Sequence, residues 1–329
     1  MKLLVLITVY KRSYLEEQLM ALENQTLKPD YLVVYQNESH INIEPLKEKY
    51  NFIHVKSDYN TKFFGRFSYC FNFPVDICVV MDDDIIPAKY CLENYVNQCV
   101  KLNGIIGGNG RPIDLSPENM ERFNVNYNET GLRICKKVDF VGHLWCFKKD
   151  WLYYMFSIKP YTFDTAEDMH LCFSSKIKGN IDSYVAEHKN MDEICDTMNG
   201  VLSGDEFASY RYTPLELRLS VPKYFMENFN YERLSLSGGV LGMMKACLEE
   251  SINWAKERYT FGKPLISRQV IRHKIADMSA KIDAVEAYLN QICWLFNNGK
   301  KPIAEISKLK FFATKALEFC ASEAMQILG

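Results

Sequence analysis

The run VVMDDDIIP (79–87) sets three carboxylates, Asp82, Asp83 and Asp84, at the end of an apolar stretch. Grouped hard oxygen donors at a strand end suit Mg²⁺ or Mn²⁺, and such a metal typically bridges a diphosphate. Strand alternation places Asp82 and Asp84 on one side and Asp83 on the other. On that pattern Asp84 and Asp82 are metal ligands, and Asp83 is the acid that best tolerates replacement by Asn. A solvated acidic turn is the alternative. Further along, DTAEDMHLCFSSKIKG (164–179) places Glu167 and Asp168 ahead of an apolar helical stretch. They suit either the capping of a helix N-terminus or a general base facing a substrate hydroxyl. In IDSYVAEHKN (181–190), His188 ends an expected strand and could supply imidazole to the same metal.

These side chains need a scaffold. LLVLITVY (3–10), YLVVYQN (31–37), FIHV (52–55) and DICVVMD (76–82) are apolar almost throughout. That pattern marks strands of a parallel sheet covered on both faces. Between the first two lies SYLEEQLMALENQ (13–25), with Leu15, Leu19 and Leu22 at helical spacing. Strand, helix and strand at this pitch indicate βαβ units and a Rossmann-like, mostly parallel α/β sheet. In open sheets of this kind, ligands bind beyond the carboxyl ends of the strands, which is where the aspartates fall. The polar stretch 189–207 reads as a lid or as a passive loop.

From about residue 225 the pattern is helical only. One apolar series runs Leu234, Leu241, Met244, Leu248, Ile252 and Ala255, and a second runs from Ile271 to Phe296. A third runs Ile306, Leu309, Ala313, Ala316, Cys320, Ala324 and Ile327. Three long amphipathic helices are expected, an incomplete all-α bundle whose exposed stripe seeks a second surface. The domains expected are therefore 1–222 and 223–329. The two patterns meet at YFMENFNYERL (224–234) with almost no linker, which reads as a fusion, artificial as readily as natural.

The 329 residues are 48% hydrophobic and 24% charged, with a formal net charge of -2. No basic stripe tracks a phosphate backbone, which argues against nucleic acid as a partner. The N-terminal apolar run is too short for a signal peptide, and no stretch reaches the roughly 18 residues of a membrane helix. The 11 cysteines contain no CxxC pair. Reduced thiols in a cytoplasmic protein, without structural zinc, are expected.

With these motifs in order, residues 1 to about 220 resemble nucleotide-sugar glycosyltransferases of the GT-A fold, in a compact family-2-like form. ITVYKR (7–12), with Thr8, Tyr10 and Arg12, resembles the strand and turn that grip the uridine. VVYQNES (33–39) puts Asn37 where the family often has a base-binding acid. NTKFFGRFSYCFN (60–72) resembles the segment crossing the donor, with Gly65 and Arg66 as contacts. MDDDIIP resembles the DxD motif, which gives Asp82 and Asp83 a part in donor binding and Asp82, Asp84 and His188 the metal. VDFVGHLWCFKKDWL (138–152) resembles the acceptor-side segment, around Gly142, His143 and Trp145. The AED of 166–168 matches a motif whose Asp, here Asp168, acts as base in inverting members, with Glu167 beside it. The resemblance implies metal-dependent, inverting transfer from a UDP-sugar donor to a hydroxyl acceptor, such as a glycan or a protein glycan.

Residues 230–329 resemble the C-terminal helical domain of acyl-CoA dehydrogenases. Arg258 and Phe261 of RYTFG match family residues that contact FAD from a neighbouring subunit. Gln326 matches a Gln at the flavin pyrophosphate, and Glu232 sits where some members carry the α-proton base. The expectation is that these four are vestigial, that FAD is not a cofactor, and that the helices serve as an oligomerisation appendage making a homo-oligomer. The alternatives are an FAD-linked acyl-CoA dehydrogenase fragment, or a non-catalytic nucleotide-sugar binder carrying an assembly domain.

Overall fold

The computed structural model describes residues 1–113, 134–198, 206–207 and 211–329. The chain divides into two compact units, Met1–Tyr224 and Phe225–Gly329. The first contains β1 (Leu3–Val9), α1 (Leu15–Glu23), β2 (Tyr31–Asn37), α2 (Glu44–Lys47), β3 (Ile53–Ser57) and α3 (Phe64–Tyr69). It continues with β4 (Ile77–Met81), α4 (Cys91–Leu102), β5 (Ile105–Arg111), β6 (Lys136–Val138), β7 (Phe140–Lys148), α5 (Leu152–Ser157), α6 (Glu167–Gly179) and β8 (Ser183–Val185). The helix α7 (Leu215–Glu257) begins in this unit, and the unit boundary falls within it.

The sheet has eight strands in the order β3-β2-β1-β4-β7-β5-β8-β6. β3, β2, β1 and β4 run parallel, with Ile7 opposite Met81 and Thr8 opposite Tyr35. Every residue of β4 is buried, and β1 is buried except at Thr8. Such strands stay dry only with both faces covered. Leu15, Leu19 and Leu22 of α1 and Leu92, Tyr95, Val96 and Cys99 of α4 are buried in that covering. Each fully buried aliphatic of this kind stabilises the unit by about 1.5–3 kcal/mol.

The α/β architecture agrees with the sequence, but the sheet is mixed. β7 is antiparallel to both β4 and β5, and β6 is antiparallel to β8. Two further departures concern single elements. β8 ends at Val185, so His188 lies past the strand instead of closing it. Pro222, the last residue of the first expected domain, lies inside α7. The stretch 189–207, expected as a lid or a loop, is described only in part, since residues 199–205 lie outside the described residues.

The second unit packs α7 residues with α8 (Gln269–Asn297) and α9 (Ile303–Leu328). All seven apolar positions of the third series, Ile306 to Ile327, are buried in that core. Lys245 reaches Glu286 at 2.7 Å, and Lys274 pairs with Glu323. A short hairpin, β9 (Tyr259–Thr260) and β10 (Lys263–Pro264), separates α7 from α8. Trp294, Phe311 and Met325 remain more than 60% exposed. Among the described residues no helix is long and apolar enough to cross a membrane.

The β5–β7 contact has no slack. A Cβ on Gly107 would sit 2.2 Å from Cβ of Val141. Gly107→Ala is expected to lower stability by about 1–3 kcal/mol through overpacking, read as a drop in the urea midpoint. The pair Gly107→Ala with Val141→Ala should recover part of that loss.

Candidate functional site

The parallel pairing of β1 with β4 brings their carboxyl ends level, so the turn after β1 (Tyr10, Lys11, Arg12) faces the turn after β4 (Asp82, Asp83, Asp84). Gln18 on α1 fixes the second turn. Its buried amide donates to the carbonyls of Asp82 and Ile85, both at 2.8 Å. The Asp82 N–H donates to the His143 carbonyl at 3.1 Å, tying the same turn to β7. Sequence reasoning missed Gln18. Its signal was a polar side chain on the apolar stripe of α1, beside Leu15, Leu19 and Leu22.

Arg66, on α3, is the charge at the centre of the cleft. One guanidinium nitrogen pairs with Asp82 and the other donates to Glu167 Oε1 at 2.8 Å. The guanidinium carbon lies 4.7 Å from the Trp145 ring centroid, and Arg66 is 4% exposed. Burial opposes the charge, yet Asp82 and Glu167 together hold Arg66 above its ordinary pKa. A second ion-pair cluster sits beside it. Arg12 donates to Asp83 at 2.5 Å and lies 3.4 Å from Asp84.

The acids feel the same burial. Desolvation, followed by the charge of Asp82, pushes Asp84 up to about 8. Desolvation, followed by the charge of Asp168, pushes Glu167 up to about 7. Asp83 is also raised by burial, against the opposing pull of Arg12. His143 is lowered by burial, and its Nε2 lies 2.8 Å from Asn109 Nδ2.

Three non-glycine residues in this region have left-handed backbones, Lys62 (φ 55), His143 (φ 68) and Ala166 (φ 61), and Ala166 directly precedes Glu167 at the start of α6. Such conformations are held only where the surroundings over-determine them. The β5–β7 register shifts between Gly107 and Asn109, opposite the glycine that precedes His143. A Cβ on that glycine, Gly142, would lie 2.9 Å from Asn109 Oδ1, so its absence leaves room for the amide that holds His143. Asp168 accepts from the Met169 N–H at 2.8 Å and from Arg218 at 3.0 Å.

Together these residues wall a cleft of about 930 Å³. Thr8, Tyr10, Arg12, Asn37, Arg66, Asp82, Asp83, Asp84, Gly142, His143, Trp145, Glu167 and Asp168 all lie on its wall. Gly65 does not. A Cβ there would meet Thr61 Oγ1 at 2.3 Å and the Tyr35 hydroxyl at 2.8 Å, so Gly65 is a packing position. Asn37 is engaged inside the protein, accepting from the Thr61 N–H at 2.9 Å and donating to Asn60 at 3.0 Å. Asp83 does not point away from its neighbours. β4 ends at Met81, strand alternation stops with it, and all three aspartates face one cleft. The expectation that Asp83 best tolerates Asn loses its basis, because Asp83 is the partner of Arg12.

The expected metal set is not assembled. His188 is buried against the Tyr95 hydroxyl at 3.2 Å, apart from the cleft wall. Among the described residues no group of three or more His, Cys, Asp or Glu side chains could hold a metal ion. Asp83 and Asp82 pair with Arg12 and Arg66 instead.

In the second unit, Arg258 follows α7 and precedes the hairpin whose turn is Phe261-Gly262. Both turn residues have positive φ, 51 and 79, as two-residue hairpins with a right-handed twist require. Phe261 is 98% exposed, and its ring lies 5.8 Å from the Arg268 guanidinium. Gln326 is exposed on α9, and Glu232 is half-buried on α7.

Residues 223–329 match the family model of the acyl-CoA dehydrogenase C-terminal domain. The chain is 35% identical over 104 residues to an acyl-CoA dehydrogenase of Bacillus subtilis (strain 168), a match covering 32% of this chain and 27% of that protein. It is 31% identical over 107 residues to the human mitochondrial short-chain specific acyl-CoA dehydrogenase, covering 32% of this chain and 26% of that protein. The chain thus spans about a quarter of the length of these relatives. Among solved structures, butyryl-CoA dehydrogenase from Megasphaera elsdenii aligns at 21% identity over 42% of this chain and 31% of that one. Its TM-score of 0.31 is too low to carry a conclusion about fold. PigA, solved with FAD and proline, aligns at 18% identity over 45% of this chain and 34% of that one, with a TM-score of 0.31.

These matches correct the expectation drawn from residues 1–222. The relatives are acyl-CoA dehydrogenases, so glycosyl transfer, with its UDP-sugar donor, hydroxyl acceptor and Mn²⁺ or Mg²⁺, is overturned as the activity. The expectation that FAD is not a cofactor is overturned as well, since residues 223–329 match the C-terminal domain of acyl-CoA dehydrogenases.

The raised carboxyls fix a pH response. Folded Asp84 and Glu167 keep a proton where the unfolded carboxyls, near 3.8 and 4.5, have lost it. The folded state therefore binds more protons between about pH 4 and 8, and these groups lower stability as pH rises through that window. Asp84→Asn should flatten the decline and exceed wild type at pH 8.5 by at least about 1 kcal/mol, read from urea unfolding at pH 6 and 8.5. An unchanged slope would contradict the assignment. Arg66→Met, which strands Asp82 and Glu167, should cost about 3–5 kcal/mol.

Proposed function

We propose that the chain serves flavin-linked acyl-CoA dehydrogenation, with residues 223–329 as the helical module and Arg258, Phe261 and Gln326 as its flavin-facing side chains. The observation that carries this reading is the match of residues 223–329 to the acyl-CoA dehydrogenase C-terminal domain. The chemistry of the residues fits the group. A guanidinium and a carboxamide suit a pyrophosphate, and the Phe261 ring, 98% exposed on a backbone of φ 51, is held out where a flat partner could cover it. When bound, the flavin would accept the hydride removed from the acyl chain. Glu232 is the candidate for the base that takes the α-proton.

All three flavin-facing side chains lie on the surface of their unit, so a second polypeptide surface must complete the site. Exposed Trp294, Phe311 and Met325 supply apolar area for such an association, and we take a second copy of this chain as the partner.

The cleft of the α/β unit supports a second reading, the binding of a small polar molecule without turnover. Its support is the pairing of strained His143 and Ala166 with buried, internally neutralised charge around a cleft of about 930 Å³.

Titration of the full chain with FAD, followed by flavin fluorescence, tests the main reading. Saturable quenching is expected, weakened at least about tenfold in Arg258→Ala, as loss of a charge-assisted contact implies. No binding by the wild-type chain would remove the proposal.

A further inference from the structure

The N-terminal turns of α7 contribute Leu215, Leu217 and Arg218 to the wall of the α/β cleft. Arg218 is what ties them there. Its Nη2 donates to Asp168 Oδ2 at 3.0 Å, while Oδ1 of the same carboxylate is taken by the Met169 N–H. With both oxygens engaged, Asp168 is 8% exposed. We propose that the first two turns of α7 are a latch on this cleft, held shut by the Arg218–Asp168 pair and hinged at Pro222.

The sequence of the helix sets the hinge. Pro222 has no N–H to offer the Arg218 carbonyl one turn before it, and its ring crowds that carbonyl. The helix is therefore weakest directly after the residue that makes the ion pair. The two sides of the hinge are packed differently. Residues 215–220 are exposed or half-buried, whereas Val221 and Phe225 are buried at 2% and 3%. Just past the hinge, the Tyr224 hydroxyl donates to the Lys159 carbonyl at 3.2 Å, and its ring lies 5.5 Å from that of Tyr161. The C-terminal side is pinned, and the N-terminal side rests on shallow contacts plus one ion pair. Segments with few buried contacts open at the low end of the stability scale.

The latch also carries an opposing bias. Arg111, on the same cleft wall, is held below its ordinary pKa first by burial and then by the charge of Arg218. Closing the latch sets the charge of Arg218 against that of Arg111, and the Asp168 carboxylate offsets their repulsion. A ligand that competes for Asp168 would therefore release α7, and the closed latch hides Asp168 from solvent.

Hydrogen exchange of the full chain, read by mass spectrometry over the amides of residues 217–221, tests this together with carbodiimide-driven amine labelling of Asp168. In Arg218→Gln, exchange over 217–221 should rise about tenfold, with Asp168 becoming labelled, while amides beyond residue 225 keep their wild-type rates. Pro222→Ala restores the missing hydrogen bond and should slow exchange over 217–221, an effect of opposite sign. The proposal is overturned if Arg218→Gln leaves both readouts unchanged, or if its loosening spreads evenly along α7. Should Arg218→Gln fail to fold, the Pro222→Ala chain decides it: slower exchange supports the latch and unchanged exchange refutes it.

Discussion

The α/β unit depends on one buried cation. Arg66 is a charge that could not stay inside the protein alone, and half-buried Asp82 and buried Glu167 are its partners. Its two pairings join segments 16 and 101 residues away in the chain. They lock the turn after β4 to the start of α6, with Trp145 of β7 as the flat surface beneath. The positions of Gln18, His143 and Ala166 follow from the same constraint, since each fixes backbone leading into one of the two acids. Charge is balanced internally, so the surplus burial appears as protons retained on Asp84 and Glu167.

This balance corrects the reading of the three aspartates. An acidic run at a strand end suggests a cation, and the cleft does contain cations, but they are the protein's own guanidinium groups. Arg12 and Arg66 were visible in the sequence as candidate ligand contacts. That they would turn toward Asp83 and Asp82 was not visible, because nothing in local spacing reports a pairing across the sheet. The alternation argument for Asp83 failed for a simpler reason. It assumed that the strand continued past Met81, and it does not.

Much of the scaffold was legible where burial is complete. β1, β2 and β4 are continuous apolar runs because both faces are covered, and the third helical series is buried at every expected position. β5 and β7 were not anticipated. Three glycines in IIGGNGR hide the first, although Gly107 is there to admit Val141. The second reads as a loop motif because Gly142 and His143 interrupt its apolar pattern. His188 was assigned to a metal by its order in the chain, and it lies against Tyr95 instead. Order along a sequence carries no distance.

The helical unit is the part of the chain that matches a family model, that of the acyl-CoA dehydrogenase C-terminal domain, and flavin-linked dehydrogenation is the reading proposed from that match. The measurement that tests this most directly is anaerobic mixing of the FAD-loaded full chain with a short-chain acyl-CoA thioester, followed by absorbance. The account predicts bleaching of the bound flavin, with formation of the enoyl-CoA product. Flavin that stays bound and oxidised in the presence of excess thioester would contradict it.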